Sequence, residues 1–290
     1  MVEDKLPYQS MDLSRRAWLK GAVATSLGLA AGGATYAYLD RRSAVQLSHV
    51  TLPFVGLPRT LAGMRIGLMT DVHRGRWVSA DAVREAVQLL MSARPDLIVL
   101  GGDYVTWGEP GYAGAVAEAL SVLSARYGVF AVLGNHDDDR EMPSELEARG
   151  IVVLKDRRTR LTIKGVELDL VGIRYWTRRK SEIGALLKGA SSTVVLLAHD
   201  PRRFAEAQAL HIPLVLSGHT HGGQVVLPVV GAVAARRFPV VSGRAIALDT
   251  TMYVSRGVGT VYVPVRMNCP PEVSLLTLEP ARSSRAASPA

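Results

Sequence analysis

Five short apolar runs each end in a cluster of polar, mostly metal-binding side chains, and this repeated junction limits the chain to folds that bury strands and gather their loops at one edge. Ile66 to Met69 leads to Asp71-Val72-His73, Leu97 to Leu100 leads to Gly101-Gly102-Asp103, and Val129 to Leu133 leads to Gly134-Asn135-His136-Asp137. Val194 to Ala198 precedes His199-Asp200, and Pro213 to Leu216 precedes Gly218-His219-Thr220-His221-Gly222-Gly223-Gln224. Runs without polar interruption read as strands covered on both faces. Loops after such strands are where an open sheet collects its ligands.

Singly, each cluster is ordinary. Asp-Val-His or Gly-Gly-Asp is most often a turn, Gly-Asn-His-Asp suits an Asx turn, and a lone His199 would be a satisfied core histidine. Together they are not ordinary, because five of the seven histidines fall inside them. The other two, His49 in an N-terminal linker and His211 between an Ala-rich helix and a strand, read as structural or solvated. Four imidazoles (His73, His199, His219, His221), two carboxylates (Asp71, Asp103) and one amide oxygen (Asn135) exceed what one tetrahedral ion needs. Two ions sharing a carboxylate would use them all. Mixed nitrogen and oxygen donors without thiolate suit Mn, Fe, Zn or Co better than Ca or Mg.

The ordered set DxH, GGD, GNHD, a lone His and GHTH resembles the calcineurin-like metallophosphoesterase superfamily over residues 64 to 278. The resemblance implies two divalent metal ions, Mn, Zn or Fe: Asp71, His73 and His221 on one, Asn135, His199 and His219 on the other, and Asp103 between them. It implies that His136, not itself a ligand, donates a proton to the leaving oxygen or stabilises charge on the phosphoryl group. The implied reaction is phosphoester hydrolysis, most readily of a diester, by in-line attack on phosphorus of a hydroxide bridging the ions. The implied fold is α/β, a four-layer α/β/β/α sandwich of two mixed sheets flanked by helices.

The rest of the pattern agrees with that architecture. No Pro/Ser/Gly-rich linker interrupts residues 60 to 280, so 43–280 reads as one catalytic domain. Ser79 is placed to cap a helix whose Val83, Val87, Leu90 and Met91 form one apolar stripe, and residues 112 to 126 repeat the pattern. Strands are expected at Arg160 to Ile163 and Glu167 to Val171 around the turn Lys164-Gly165, then at Val225 to Leu227 and Val273 to Leu278. Residues 281–290, rich in Ala and Ser, read as a disordered tail.

The N-terminus carries a second signal. Ser14-Arg15-Arg16-Ala17-Trp18-Leu19-Lys20 precedes an uncharged, Ala/Gly-rich stretch from 21 to 39. This resembles a twin-arginine export signal, with Trp18 where Phe is commoner; a signal anchor is the alternative for residues 1–42. Either assignment implies passage through the translocase or retention on the membrane, with the catalytic domain periplasmic or on the outer face of the cytoplasmic membrane. The single cysteine, Cys269, excludes an intrachain disulfide and reads as a buried, inert thiol.

Charge narrows the partners. The chain is +8, which favours anionic envelope material such as phospholipid, wall polymer or nucleotide-linked lipid as the phosphoester or as a surface to associate with. No stripe of Lys/Arg interleaved with aromatics supports nucleic-acid binding as the main role. Arg157, Arg158 and Arg160, and the run Arg178-Arg179-Lys180, read as solvated turns. Arg256-Gly257-Val258-Gly259-Thr260, Pro264-Val265-Arg266 and Pro270-Pro271-Glu272 resemble the C-terminal pattern of the bacterial exported (YkuE/YaeI-like) subgroup. Gly257 and Gly259 would there let backbone approach a ligand, and Arg266 would add charge near the site. Two alternatives stand beside the phosphodiesterase expectation: a UDP-2,3-diacylglucosamine-type pyrophosphate hydrolase, as in some relatives, and a non-catalytic, metal-stabilised envelope-binding protein.

Overall fold

The computed structural model describes residues 14–41 and 45–282. Two six-stranded sheets face each other. The first contains β1 (Gln46–Val55), β2 (Arg65–Met69), β3 (Leu97–Leu100), β4 (Val129–Ala131), β5 (Val152–Val153) and β12 (Glu272–Ala281), in the order β1-β12-β2-β3-β4-β5. Only the β12–β2 pair in it is antiparallel. The second contains β6 (Arg157–Ile163), β7 (Val166–Gly172), β8 (Val194–Leu197), β9 (Leu214–Ser217), β10 (Gly243–Ala247) and β11 (Thr250–Val254), in the order β10-β11-β9-β8-β7-β6. Its central pairs β7–β8, β8–β9 and β9–β11 are parallel and its outer pairs antiparallel. Both sheets are therefore mixed.

Side-chain alternation divides each strand between two cores. Leu97 and Val99 of β3 point between the sheets, where they meet Leu68, Leu168, Leu170, Val195, Leu197, Leu214 and Leu276. Ile98 and Leu100 point outward onto α2 (Ala80–Ser92), α3 (Ala113–Leu120) and α4 (Glu141–Glu147) through Val83, Val87, Leu90, Val116, Leu120 and Leu146. On the second sheet Val194 and Leu196 cover Ile183 of α5 (Lys180–Leu186) and Phe204 and Ala207 of α6 (Phe204–Ala209). The layers run α/β/β/α, as the resemblance implied. Burying each such Val or Leu stabilises by about 1.5–3 kcal/mol, and the central strands do so on both faces.

Ser79 caps α2 by accepting from the Ala82 N–H, and Val83, Val87 and Leu90 are fully buried while Met91 is only half-buried. The expected helix over 112 to 126 is shorter. It stops at Leu120, where the Ser121 hydroxyl donates back to the Glu118 carbonyl and Val122 faces solvent. The expected strand at Val225 to Leu227 is a loop carrying only isolated bridges, Val225 to Met267 and Leu227 to Gly231. His49 does not lie in a linker: it is an exposed residue of β1, paired with Leu275 of β12.

Arg158 and Arg160 are not solvated turn residues. On β6 they face the fully buried Asp169 carboxylate at 3.5 and 3.1 Å, and they donate to the Leu186, Lys188 and Gly189 carbonyls at the end of α5. Burial alone would raise the Asp169 pKa, but Arg160 and the Ser191 N–H hold it below the ordinary value. A depressed carboxylate contributes stability above its unfolded pKa and loses it as pH falls through the folded one. Asp169→Asn should therefore cost about 3 kcal/mol at neutral pH and flatten the acid limb of the stability profile, read by urea unfolding at several pH values.

The segment that resembles an export signal begins outside the described residues and continues as α1 (Arg15–Arg41). Trp18, Leu19, Val23, Leu27, Leu29 and Tyr36 on it are exposed. Among the described residues no helix is long and apolar enough to cross a membrane. The tail expected to be disordered lies, from residue 283 onward, outside the described residues.

Candidate metal centre

All eight candidate site residues meet at one end of the sandwich. Asp71 and His73 follow β2, Asp103 follows β3, and Asn135 and His136 follow β4; His199 follows β8, and His219 and His221 follow β9. One sheet thus supplies five residues and the other three, because the parallel strands of both sheets end on the same side. Asp71, His73 and His221 form one group whose candidate ligand atoms lie within 4.8 Å of one another, and Asp103, His199 and His219 form another. Asp103 Oδ2 sits between them, 3.5 Å from His73 Nε2 and 3.1 Å from His199 Nε2. Asn135 and His136 line the cavity that opens above.

The backbone here is unusual. Asp71, His73, Asp103, His219 and His221 all have φ between 46° and 72°, a region that Asp tolerates more readily and that costs the three histidines up to about 1–2 kcal/mol each. Such strain persists only where surroundings enforce it. Gly102, at φ 94°, lies so close to the next loop that an added Cβ would come within 2.5 Å of the Gly134 nitrogen. At Gly257 an added Cβ would come within 2.5 Å of the Asp71 Cβ. Gly257 and Gly259 therefore accommodate the loop carrying Asp71 and Val72 rather than an approaching ligand.

Electrostatics and unmet polar atoms both fit cations at this place. His73 Nε2 and His221 Nε2 face each other at 3.0 Å, and His199 Nε2 and His219 Nδ1 at 3.2 Å. Two ring nitrogens in such contact either share one proton or oppose lone pairs, and a cation between them would relieve that repulsion. The buried Asn135 Oδ1 has no hydrogen-bond partner among the described residues. His199 Nδ1 donates to the Gly101 carbonyl at 2.7 Å, which turns Nε2 toward Asp103. Burial pushes His73 and His219 down to about 3 and His221 well below its ordinary value, so these rings stay in the neutral, ligating form. Burial opposes charge on His199 too, but the Asp103 carboxylate outweighs it and drives the pKa up to about 10. The donor set and its geometry suit a pair of divalent cations.

Asp137 was given no role from the sequence, and Arg266 was given a different one. The Asp137 carboxylate accepts from the N–H groups of Asp103 and Gly134 at 2.8 Å and of Tyr104 at 2.7 Å, joining the loops after β3 and β4. Asp137→Asn would turn an amide N–H₂ toward these donors. It should weaken cation binding by about 10–100-fold in chelator competition while β-sheet content is kept. Arg266, expected to project charge toward the site, is instead 1% exposed and lies beneath it. Its guanidinium donates to the carbonyls of Arg256, Gly257 and Gly259 and faces that of Cys269, bracing the loop that approaches Asp71. Cys269 beside it is buried and free, its thiol pKa raised by burial.

The mouth of the site is aromatic. Tyr175 lies 5.4 Å from the His219 ring and stacks edge-on with Trp176 at 4.7 Å. Arg178 lies over both of these rings, at 5.6 and 5.4 Å. The Trp107 and Tyr262 rings each lie 6.1 Å from the His136 ring, and the Trp107 backbone N–H donates to His136 Nδ1 at 2.9 Å.

Comparison with known proteins adds an independent line. Residues 64–223 match the calcineurin-like phosphoesterase family. Phosphodiesterase YaeI of Escherichia coli (strain K12) is 31% identical over 277 residues, covering 92% of this chain and 99% of that protein. The uncharacterised metallophosphoesterase YkuE of Bacillus subtilis (strain 168) is 27% identical over 280 residues, covering 92% and 98%. Among solved structures, a Haemophilus influenzae NAD nucleotidase is similar at 12% identity and a TM-score of 0.48, over 67% of this chain and 50% of that one.

Proposed function

The chain belongs to the calcineurin-like phosphoesterase family and is a hydrolase of phosphoesters, and on that premise we propose that it is an exported, dinuclear-metal phosphodiesterase. The observation that carries the reading is the pair of ligand groups meeting at Asp103. In this reading Asp71, His73 and His221 hold one ion, Asn135, His199 and His219 hold the other, and Asp103 serves both. Two divalent ions at such a site supply positive charge against the phosphoryl oxygens and lower the pKa of water from 15.7 toward about 7. The diester preference is supported by YaeI, named a phosphodiesterase and alignable over nearly all of both chains.

The chain's own groups do the rest. His136 Nδ1 accepts the Trp107 backbone N–H, so the neutral ring carries its proton on Nε2; burial lowers its pKa and favours that neutral form. The ring then donates a hydrogen bond to a phosphoryl or leaving oxygen in the cavity it lines. Asp137 and Arg266 keep the loops in register beneath.

Full-length protein, stripped of metal and reloaded with Mn, Zn or Fe, should cleave bis-p-nitrophenyl phosphate faster than p-nitrophenyl phosphate. Cleavage of neither by protein that holds two ions would sink the diesterase reading. Export rests on Arg15-Arg16 ahead of the uncharged stretch 21–39. A reporter fused after Ala290 should reach the far side of the membrane, and Arg15→Lys with Arg16→Lys should retain it in the cytoplasm; unchanged passage would overturn the twin-arginine assignment.

A further inference from the structure

The candidate metal centre opens into a cavity of about 470 Å³ whose floor includes Asp103, Asn135, His219 and His221 and whose walls are mostly apolar, with Leu227, Val233, Phe238, Val261, Tyr262 and Val263 beside the polar Gln224 and Arg237. The volume is that of a small-ligand site. Its rim continues the same chemistry outward. Thirteen large hydrophobic residues are exposed between 45 and 282, and six of them, at 227, 229, 230, 233, 262 and 263, lie on the two loops that form this wall. The tight turn at Pro228-Val229-Val230-Gly231, closed by the Leu227–Gly231 bridge, presents a fully exposed Val229 and a half-exposed Val230 at its tip. Exposed Trp107 lies beside His136, and exposed Trp176 beside Tyr175, whose ring faces His219. Scattered apolar residues on a surface need no explanation, but a patch joined to a reaction centre does.

We propose that this wall and rim are a lipid-docking face, and that the phosphodiester cleaved is amphiphilic, its phosphoryl group at the ligand set and its apolar part along Leu227, Val233 and Phe238. The inference rests on the phosphodiesterase reading for its reaction, and on the continuity of cavity and rim for its occupant. One end of the cavity takes a phosphoryl group and the walls leading away from it are mostly apolar, with Gln224 and Arg237 the polar exceptions, which suits an acyl or alkyl chain better than a sugar-phosphate polymer. Exposed Trp and Tyr at such a rim suit the boundary between headgroups and acyl chains. Arg236 and Arg237 are exposed on the same loop, and Arg237 lines the cavity, so the surface met is anionic.

The single cysteine makes the test clean, because Cys269 is 2% exposed and a cysteine introduced at an exposed position takes a label alone. Full-length Val230→Cys and, at the far end of the sandwich in the β6–β7 turn, Lys164→Cys are labelled with an environment-sensitive fluorophore. They are mixed with vesicles of equal parts phosphatidylglycerol and phosphatidylcholine. Fluorescence at 230 should rise several-fold and shift to the blue, with no change at 164. In calorimetry, octyl phosphate should bind the Mn-loaded protein at least about tenfold more tightly than ethyl phosphate, and Leu227→Asp with Val233→Asp should remove the difference. No response at 230, equal responses at both positions, a response to purified anionic wall polymer but not to vesicles, or equal affinity for the two alkyl phosphates would each overturn the proposal. Failure of the diesterase reading shows separately, as no cleavage of bis-p-nitrophenyl phosphate by protein whose label at 230 still responds.

Discussion

Asp103→Asn should leave the protein folded yet lower kcat/KM for a phosphodiester by at least about 10³-fold, and reduce bound metal from the two ions proposed above to one or none. Asparagine is the informative replacement because Asp103 has φ 55°, a conformation asparagine tolerates and alanine does not. The backbone bonds around the residue, including the Asp137 carboxylate on its N–H, can stay as they are. What is lost is the one negative charge facing both His73 and His199. Without it two clusters of imidazole would share the single remaining carboxylate of Asp71, and His199 would lose the partner that raises its pKa. Metal analysis together with circular dichroism separates this outcome from unfolding. Full activity with two ions bound would remove Asp103 from the centre.

The second large effect is expected at His136, with a different signature. His136→Ala should lower kcat by about 10²–10³-fold while both ions stay bound, since the ring is outside both ligand groups proposed here. Its manner of action can be read from leaving groups. A ring that hands a proton to the departing oxygen would matter most for a poor leaving group such as an alkoxide and little for p-nitrophenolate. A neutral ring donating through Nε2 to a non-departing oxygen, as the Trp107 N–H on Nδ1 favours, would cause a similar loss across the series. A loss that grows steeply with leaving-group pKa would restore the proton-donor role.

Much of this site was legible in the sequence because its ligands sit two to four residues past the ends of buried strands. Such strands are uninterrupted apolar runs, and the residues that break them are conspicuous. The turn at Lys164-Gly165 was legible for a similar reason: both residues have positive φ, at 50° and 79°, and the glycine announces it. Other features were not legible because they are assembled from distant segments. Arg266 looks like any surface arginine until carbonyls from 256 to 259 converge on it. Asp137 looks like one more polar residue in a turn, and most of its work is done on backbone more than thirty residues away. Val225 to Leu227 has the composition of a strand. It stays a loop because neighbouring backbone meets it only at isolated points, and in exchange it walls the cavity.

The ligand groups do not divide by sheet. Asp71 and His73 come from the first sheet and His221 from the second; Asp103 comes from the first and His199 and His219 from the second. His73 and His221 are 148 residues apart in the chain and touch only when the sheets are docked. A cation at either place therefore recognises the closed sandwich and has almost no partner in the denatured chain, so its binding energy adds directly to the cohesion between the sheets. Ligand geometry and mechanical integrity share one seam, and if cations occupy it a chelator would act on this protein as a denaturant directed at one end.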